Sequence, residues 1–307
     1  MSELASPPVP AVAAAAAAPS AGGRGQRTTS GREVSARRRQ PWAVHAVLIL
    51  GVVAMVFPFV WQLLTSFKNF AGATAIPVQW IPQPWDFSNF GKVFEAMPFG
   101  QMFVNSLLLT VARTAGQVVL CTMAGYAFAR MHFPGRNVIF LLFLSVLMVP
   151  GQLFLLPQYE IMQSLGWLDT LKAIIVPGLF SAFGTFLMRQ FFMSMPNELE
   201  EAARLDGANQ WQVFWRVMLP LAKPGIIALT VFTVLWSWND MLWPLIVTSD
   251  QAKMPLSVGL TQLVGLHMTN YPVLMAGSLL ATIPMVVVFM FLQRQFIQGI
   301  AFSGSKG

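Results

Sequence analysis

Six apolar stretches, each about long enough to cross a bilayer, constrain the fold more than any other feature of this sequence. They cover residues 42–64, 102–129, 138–156, 171–192, 225–247 and 272–292. A transmembrane helix needs about 20 mostly apolar residues. A single segment in lipid can form all the hydrogen bonds of its backbone only as an α-helix. No strand pattern or repeat is visible between the stretches. The sequence therefore predicts an all-α, polytopic membrane protein with six transmembrane helices.

The composition agrees with this class. Of 307 residues, 55% are hydrophobic and 10% are charged, and the mean hydropathy is +0.61. The hydrophobic fraction and the mean hydropathy exceed those of ordinary soluble domains, and the charged fraction is well below their usual value of about 25%. The single cysteine, Cys121, excludes an internal disulfide and is more typical of a small core residue than of a metal site. A net charge of +7 would also suit a nucleic-acid partner, but the positions of the cations indicate a membrane instead.

Residues 1–40 are mostly Ala, Pro, Ser, Gly and Arg, with almost no large apolar residue. Such a segment cannot bury enough surface to fold, so we predict a disordered basic tail. Its arginines are Arg24, Arg27, Arg32, Arg37, Arg38 and Arg39. The apolar stretch that follows is too long for the core of a secretory signal. We therefore expect residues 41–307 to form the membrane domain, with the tail in the cytoplasm.

The remaining lysines and arginines are distributed unevenly between the two predicted sides. With six spans, the cytoplasmic side holds the tail arginines together with Arg130, Arg136, Arg189, Arg204, Arg216, Lys223, Arg294 and Lys306. The outer side holds only Lys68, Lys92, Lys172 and Lys253. Cytoplasmic loops of membrane proteins carry an excess of such cations. The distribution therefore predicts that both termini, and also residues 197–224, are cytoplasmic.

Residues 197–224 are the longest charged interruption, and their pattern is helical on both sides of a glycine. Asn197 and Glu200 have the spacing of a capping box, and Arg204 can pair with acids three and four residues before it. Gly207 favours a break. A second amphipathic run follows, with apolar residues near one face at Trp211, Phe214, Val217 and Met218. The pattern predicts a helix–glycine–helix hairpin at the membrane surface, which binds either another chain or lipid headgroups.

Arg113 is a candidate for a functional residue because it lies near the middle of the second apolar stretch. Insertion scales place an arginine there at about 2.5–3.5 kcal/mol unfavourable. We expect it to face a cavity or a partner, either lining a solute path or forming a structural pair. Gln152 is a weaker candidate in the third stretch.

The fifth stretch carries Trp236, Trp238, Asn239 and Asp240. An indole stacks on the apolar face of a sugar ring, and amide and carboxylate groups bind its hydroxyls. The same residues also fit a tryptophan belt at the membrane interface with a carboxylate used in helix packing. Both interpretations remain open from the residues alone.

Several motifs resemble one family. One motif consists of Glu201-Ala202-Ala203, Gly207 after three further residues, and Val217 shortly before Leu219-Pro220. It resembles the cytoplasmic EAA loop of ATP-binding-cassette importer permeases, with valine in place of the usual isoleucine. The runs NSLLLTVA, AGYAFARMHFPGR, WSWNDMLWPL and QRQFIQGIAFSGSKG resemble the carbohydrate-uptake, maltose-type branch. The resemblance covers about residues 42–307 and leaves out the tail.

The resemblance implies a permease subunit of a sugar importer in the plasma membrane of a prokaryote. Its partners would be a second, non-identical permease, two ATPase subunits and an extracytoplasmic sugar-binding protein, with no nucleic acid. The docking residues for the ATPase would be Glu201, Ala202, Ala203, Asp206 and Gly207. The sequence has no G-x-x-x-x-G-K-[ST] loop, so ATP and Mg²⁺ are expected on the partner ATPase and no cofactor on this chain.

Two other classes are alternatives. An ion-coupled secondary transporter would show inverted repeats and intramembrane acids, and here only Asp240 is a plausible acid of that kind. An intramembrane enzyme would need a nucleophile–base pair or metal ligands, and His45, His132 and His267 are too scattered to suggest either.

Overall fold

The computed structural model describes residues 42–265 and 268–304, with the side chains of all but Ala43 and residues 292–304. The predicted tail, His267 and Lys306 lie outside the described residues, as does the side chain of Arg294. No residue in the described ranges belongs to a β-strand. The fold is therefore all-α in the part of the chain that is described.

The described residues form fifteen α-helical segments in chain order. They are α1 (Trp42–Ser66), α2 (Phe70–Thr74), α3 (Ser88–Ala96), α4 (Phe99–Arg130), α5 (Arg136–Ser145), α6 (Leu155–Ser164), α7 (Leu171–Ile175), α8 (Ala182–Met193), α9 (Glu198–Leu205), α10 (Gln210–Gln212), α11 (Leu219–Leu221), α12 (Lys223–Asn239), α13 (Leu242–Val247), α14 (Leu256–Gly259) and α15 (Tyr271–Gly304). Short 3₁₀ turns cover Val146–Met148, Gly151–Phe154, Val176–Gly178 and Leu260–Leu263, and Val213–Met218 is π-helical.

Four helical segments within the described residues are long and apolar enough to cross a bilayer. They are Val44–Ser66, Phe99–Arg130, Leu171–Met193 and Tyr271–Phe291. Two further helix pairs have span-like composition but are bent, by 101° between Arg136–Met148 and Gly151–Ser164 and by 72° between Gln210–Leu221 and Lys223–Asn239. The number of spans is therefore four, or up to six if each bent pair crosses the bilayer once.

Besides the interruption of the stretch 171–192 between α7 and α8, two predicted spans are broken. The stretch at 138–156 breaks around Pro150, whose backbone is extended (ψ 125°) between two 3₁₀ turns. The stretch at 225–247 breaks at Asp240 (ψ 112°), where α12 ends before α13 begins. Proline lacks an N–H and disfavours helical backbone in the residue before it, which explains the first break. Pro244 in α13 cannot donate to the carbonyl of Asp240, four residues earlier, and its ring would clash with it, which explains the second break. The carbonyl of Asp240 instead accepts a hydrogen bond from Ser257 Oγ at 2.6 Å.

The long helix α4 packs against α8 and α12. Small residues permit this close approach, because a Cβ on Gly125 would lie 2.6 Å from Met188 Cβ and 2.9 Å from Arg189 N. Buried apolar residues on the three helices include Cys121, Met188 and Leu229. Small residues at helix interfaces are typical of membrane proteins.

The segment between α1 and α4 is folded back on the end of α1. Asn89 Nδ2 donates to Ser66 O at 3.0 Å and to Lys68 O at 2.8 Å. Lys68 Nζ donates to Gln79 O at 2.6 Å and lies 4.1 Å from the Trp61 ring centroid. Burial lowers the pKa of Lys68 below its usual value. This lysine, predicted from the sequence to lie in an outer loop, is thus a buried structural cation.

Candidate functional site

The polar stretch forms two helical limbs around a glycine. Helix α9 ends at Leu205, Gly207 has a φ of +84°, and α10 begins at Gln210. A positive φ of this size strains residues that carry a Cβ, so glycine is suited to the turn. No atom lies within 4 Å of a Cβ built on Gly207. The backbone conformation, and not a lack of space for a side chain, therefore requires glycine here. The break therefore lies where the sequence predicts it.

The predicted capping box at Asn197 and Glu200 is wrong. Asn197 has helical backbone and makes no side-chain cap; its Oδ1 instead accepts a hydrogen bond from Arg130 Nη1. A capping box does occur at the second limb, where Asn209 Oδ1 accepts from Gln212 N at 2.9 Å and Gln212 Oε1 accepts from Asn209 N at 2.8 Å. A tertiary hydrogen bond to Arg130 replaces the local cap at Asn197.

The tip of the hairpin is open to its surroundings. The residues proposed from the family resemblance are exposed or, for Ala203, half-buried: Glu201, Ala202, Ala203, Asp206 and Gly207. Leu205, between them, is 89% exposed. The geometry leaves this tip available to a partner chain.

The base of the hairpin is packed against α4 and α8. Phe214 and Met218 are buried in one cluster with Tyr126 and Phe192. Trp211, predicted to share this apolar face, contacts the Phe214 ring at 6.3 Å between centroids but is 60% exposed. The π-helical turn at Val213–Met218 widens the helix by one residue per turn, so the 3.6-residue period used in the prediction does not hold there.

Glu200 is the buried carboxylate of the hairpin, at 6% exposed. Its Oε1 lies 3.5 Å from Arg130 Nε and its Oε2 lies 3.4 Å from Arg204 Nη2. Burial raises the pKa of Glu200 above its usual value, although both arginines act to lower it. Of the two predicted partners of Arg204, the structure selects Glu200, four residues away.

Arg113 is 1% exposed and is paired. Its Nη1 donates to Asp240 Oδ2 at 2.8 Å, and its Nε and Nη2 donate to Ile174 O at 3.1 and 2.6 Å. Its guanidinium carbon lies 5.1 Å from the centroid of the Trp236 ring. The tertiary structure thus brings three predicted residues, Arg113, Trp236 and Asp240, together at the break between α12 and α13.

The other predicted path residues lie apart from this cluster. Trp238 is 8% exposed and donates from Nε1 to Ala281 O at 3.2 Å, against α15. Asn239 is exposed and donates to Leu235 O at 2.7 Å on its own helix. Gln152 is exposed in the 3₁₀ turn after Pro150. Trp238 is therefore a packing residue in this conformation, whereas Asn239 and Gln152 present accessible polar groups.

A buried polar network one turn below Arg113 was not predicted. Gln117 Nε2 donates to Gly178 O at 2.9 Å, and its Oε1 accepts from Ser181 Oγ at 2.9 Å and Thr233 Oγ1 at 3.2 Å. Gln117 follows Arg113 by four residues and therefore lies on the same face of α4. That spacing was the one signal in the sequence that pointed to a polar seam between α4, α8 and α12.

Long apolar helices around a buried ion pair, with an exposed helix–glycine–helix hairpin, define a polytopic α-helical membrane protein. Residues 118–301 match the family described as binding-protein-dependent transport system inner membrane component. The chain belongs to this family. It is a permease subunit, a transport protein and not an enzyme.

Named relatives and solved structures agree with the family. The chain is 34% identical to the sn-glycerol-3-phosphate transport system permease protein UgpE of Yersinia pestis over 83% of its length and 94% of that protein. It is 35% identical to the arabinooligosaccharides transport system permease protein AraQ of Halalkalibacterium halodurans, over 82% and 91%. A crystal structure of a bacterial ABC transporter that imports alginate matches with a TM-score of 0.74 and 25% identity, covering 85% of this chain and 98% of that one.

Proposed function

We propose that the chain is one of two non-identical permease subunits of an ATP-driven carbohydrate importer. The relatives are named for sn-glycerol 3-phosphate and arabino-oligosaccharides, and the solved transporter for alginate. These solutes are all rich in hydroxyl or acidic groups. The observation that carries the proposal is the exposed hairpin tip around Glu201 and Gly207 in a chain of this family. A periplasmic binding protein is present in a second alginate transporter structure, which at 16% identity supports the fold alone.

The proposed topology has six spans. The bent pair Arg136–Met148 and Gly151–Ser164 crosses the membrane once, and the fifth span begins at Lys223, after the 72° bend that follows the hairpin. Residues 1–40 form a basic tail, residues 41–307 form the transmembrane domain, and both termini lie in the cytoplasm of a prokaryotic cell. The uneven distribution of lysine and arginine supports this orientation. The hairpin, residues 197–224, then lies on the cytoplasmic face.

The hairpin tip docks into an ATPase subunit through Glu201, Ala202, Ala203, Asp206 and Gly207. Two such ATPases bind ATP with Mg²⁺, and this chain holds no cofactor. The exposure of these residues, in a chain of this family, supports a protein contact at this tip. Closure of the two ATPases on ATP moves the hairpins and switches access from one side of the membrane to the other, and ATP hydrolysis resets them.

The proposed solute path runs beside the break of α12. Its proposed residues are Arg113, Gln152, Trp236, Trp238, Asn239 and Asp240. In this conformation Trp238 packs against α15 and Gln152 lies apart from the break, so these two would join the path only in another conformation. The exposed ring of Trp236 and the exposed amide of Asn239 are suited to contact sugar, because indole stacks on sugar rings and amides bind hydroxyls. The paired Arg113 and Asp240 hold the wall of the path in place.

The test uses the complete transporter co-expressed with its neighbouring ATPase, second permease and binding protein. We expect Glu201→Lys to abolish uptake and co-purification of the ATPase, since it reverses the charge at the docking tip. The matched control is Glu95→Lys, an exposed acid of α3 in the segment that we expect on the outer side. Normal uptake by Glu201→Lys would contradict the coupling role. Uptake driven by a proton or sodium gradient, with no co-purifying ATPase, would favour a secondary transporter.

A further inference from the structure

Arg130, the last residue of α4, is bonded to the segment that leads into the hairpin. Its Nε and Nη2 donate to Phe192 O at 3.2 and 2.6 Å, and Nη2 also donates to Met195 O at 2.5 Å. Its Nη1 donates to Asn197 Oδ1. The guanidinium also lies 3.5 Å from Glu200, and both side chains are over 90% buried. One side chain of α4 thus binds the end of α8, the linker and the first limb of the hairpin.

Tyr126, one turn earlier on α4, makes the matching connection to the second limb. Gln210 Nε2 donates to Tyr126 Oη at 2.8 Å. The tyrosine ring packs 5.4 Å from the Phe192 ring and 4.9 Å from the Phe214 ring, measured between centroids. Both limbs of the hairpin are therefore attached to the last two turns of the same helix.

Arg204 connects the two attachments. Its Nη2 lies 3.4 Å from Glu200 Oε2 and donates to Gln210 Oε1 at 3.0 Å. A chain of polar contacts, which we call the hairpin clamp, consequently joins Arg130, Glu200, Arg204, Gln210 and Tyr126. A buried ion pair of this kind contributes little net stability, but separating Glu200 from Arg130 costs free energy because both side chains are buried, which favours one geometry.

Helix α4 runs from this clamp to Arg113, 17 residues away, a separation of about 26 Å at the helical rise of about 1.5 Å per residue. We propose that Arg130 and Glu200 are positioning residues that make the hairpin and α4 move as one body, so that a displacement of the hairpin reaches the Arg113–Asp240 pair. This inference rests on the proposed coupling of the hairpin to an ATPase. It assigns the transmission to α4 and not to α12, which follows the hairpin along the chain after a 72° bend.

The experiment measures solute taken up per ATP hydrolysed in proteoliposomes that contain the complete transporter. We expect Arg130→Gln to lower this ratio about tenfold while the ATPase still co-purifies. A tenfold change lies within the range by which substitutions between two coupled sites alter the coupling free energy. Arg130→Lys keeps the charge but loses the fork of donors, so it should restore the ratio only in part. The matched control is Arg136→Gln, since Arg136 donates to Met131 O outside the clamp. An unchanged ratio in Arg130→Gln overturns the inference.

Glu200→Gln provides the second variant, because it keeps the shape of the side chain and all the hydrogen bonds of Arg130 to Phe192, Met195 and Asn197. We expect a smaller loss of coupling, about threefold. If Arg130→Gln fails to assemble, this variant decides, and an unchanged ratio overturns the inference. Failure of the wild-type chain to bind an ATPase would instead overturn the proposed function, so the two failures are distinguishable.

Discussion

Arg113 Nη1 on α4 lies 2.8 Å from Asp240 Oδ2 at the residue where α12 ends. The two residues are 127 positions apart in the sequence, and their side chains are 2% and 12% exposed. The remaining donors of Arg113 bind Ile174 O just before the turn that leads to α8. A single guanidinium thus connects α4 to the breaks in two other helices.

The first prediction concerns this pair. Asp240→Leu leaves Arg113 buried without its acid, so we expect the free energy of unfolding to fall by about 3–5 kcal/mol. Replacing both residues with apolar ones, Arg113→Met with Asp240→Leu, should recover most of this loss because no buried charge remains. Urea or thermal unfolding of the purified subunit in detergent measures both values. A double variant as unstable as the single one would contradict the assignment of a buried ion pair.

Gly125 provides a prediction on helix packing. A Cβ at this position meets Met188 Cβ at 2.6 Å and the backbone of Arg189 at 2.9 Å, so Gly125→Ala should destabilise the fold by about 1–3 kcal/mol. The matched control is Gly100→Ala in the first turn of the same helix, where no atom lies within 4 Å. There alanine should stabilise by up to about 1 kcal/mol through helix propensity. Thermal unfolding of both variants measures the difference, and equal effects would argue against close packing of α4 on α8.

Gly207 tests whether conformation or volume matters at the hairpin turn. Because its φ is +84° and its surroundings are open, Gly207→Ala should cost about 1–2 kcal/mol locally and reduce uptake strongly. Gly207→Asn is larger but tolerates left-handed backbone, so it should keep more activity than alanine. Uptake and ATPase co-purification are measured for both. If the larger residue is the worse one, docking space and not backbone conformation requires glycine.

Glu200 provides a prediction on pH. Since burial raises the pKa of Glu200, the folded chain binds more protons than the unfolded chain between the usual glutamate pKa of about 4.3 and the raised value. The contribution of this residue to stability is therefore present at low pH and is lost as the pH rises through that window. Glu200→Gln cannot titrate, so its unfolding temperature relative to wild type should increase as the pH is raised from about 4 to 7. A difference independent of pH would show that Glu200 is not desolvated in the folded chain.

Local sequence patterns were informative wherever one segment alone decides the structure. The apolar stretches at 42–64, 102–129 and 272–292 are helices. The length of an apolar segment and the hydrogen bonding of its backbone depend only on the residues within that segment. The break at Gly207 also follows from one residue. The capping box at Asn197 failed because Arg130, 67 residues away, supplies a competing hydrogen bond. Trp211 contacts Phe214 on the predicted face but remains 60% exposed, beside a π-helical turn that departs from the 3.6-residue period.

Local patterns and motifs were thus sufficient for the helical class, the membrane-like stretches, the break at Gly207 and the family of this chain. The packed helices were needed to show that Arg113 meets Asp240 and that Glu200 is buried beside Arg130. The difference lies in how far along the chain each effect reaches. Hydropathy and helix breaking act within one segment, whereas the partner of a buried charge comes from another segment whose position depends on how the helices pack.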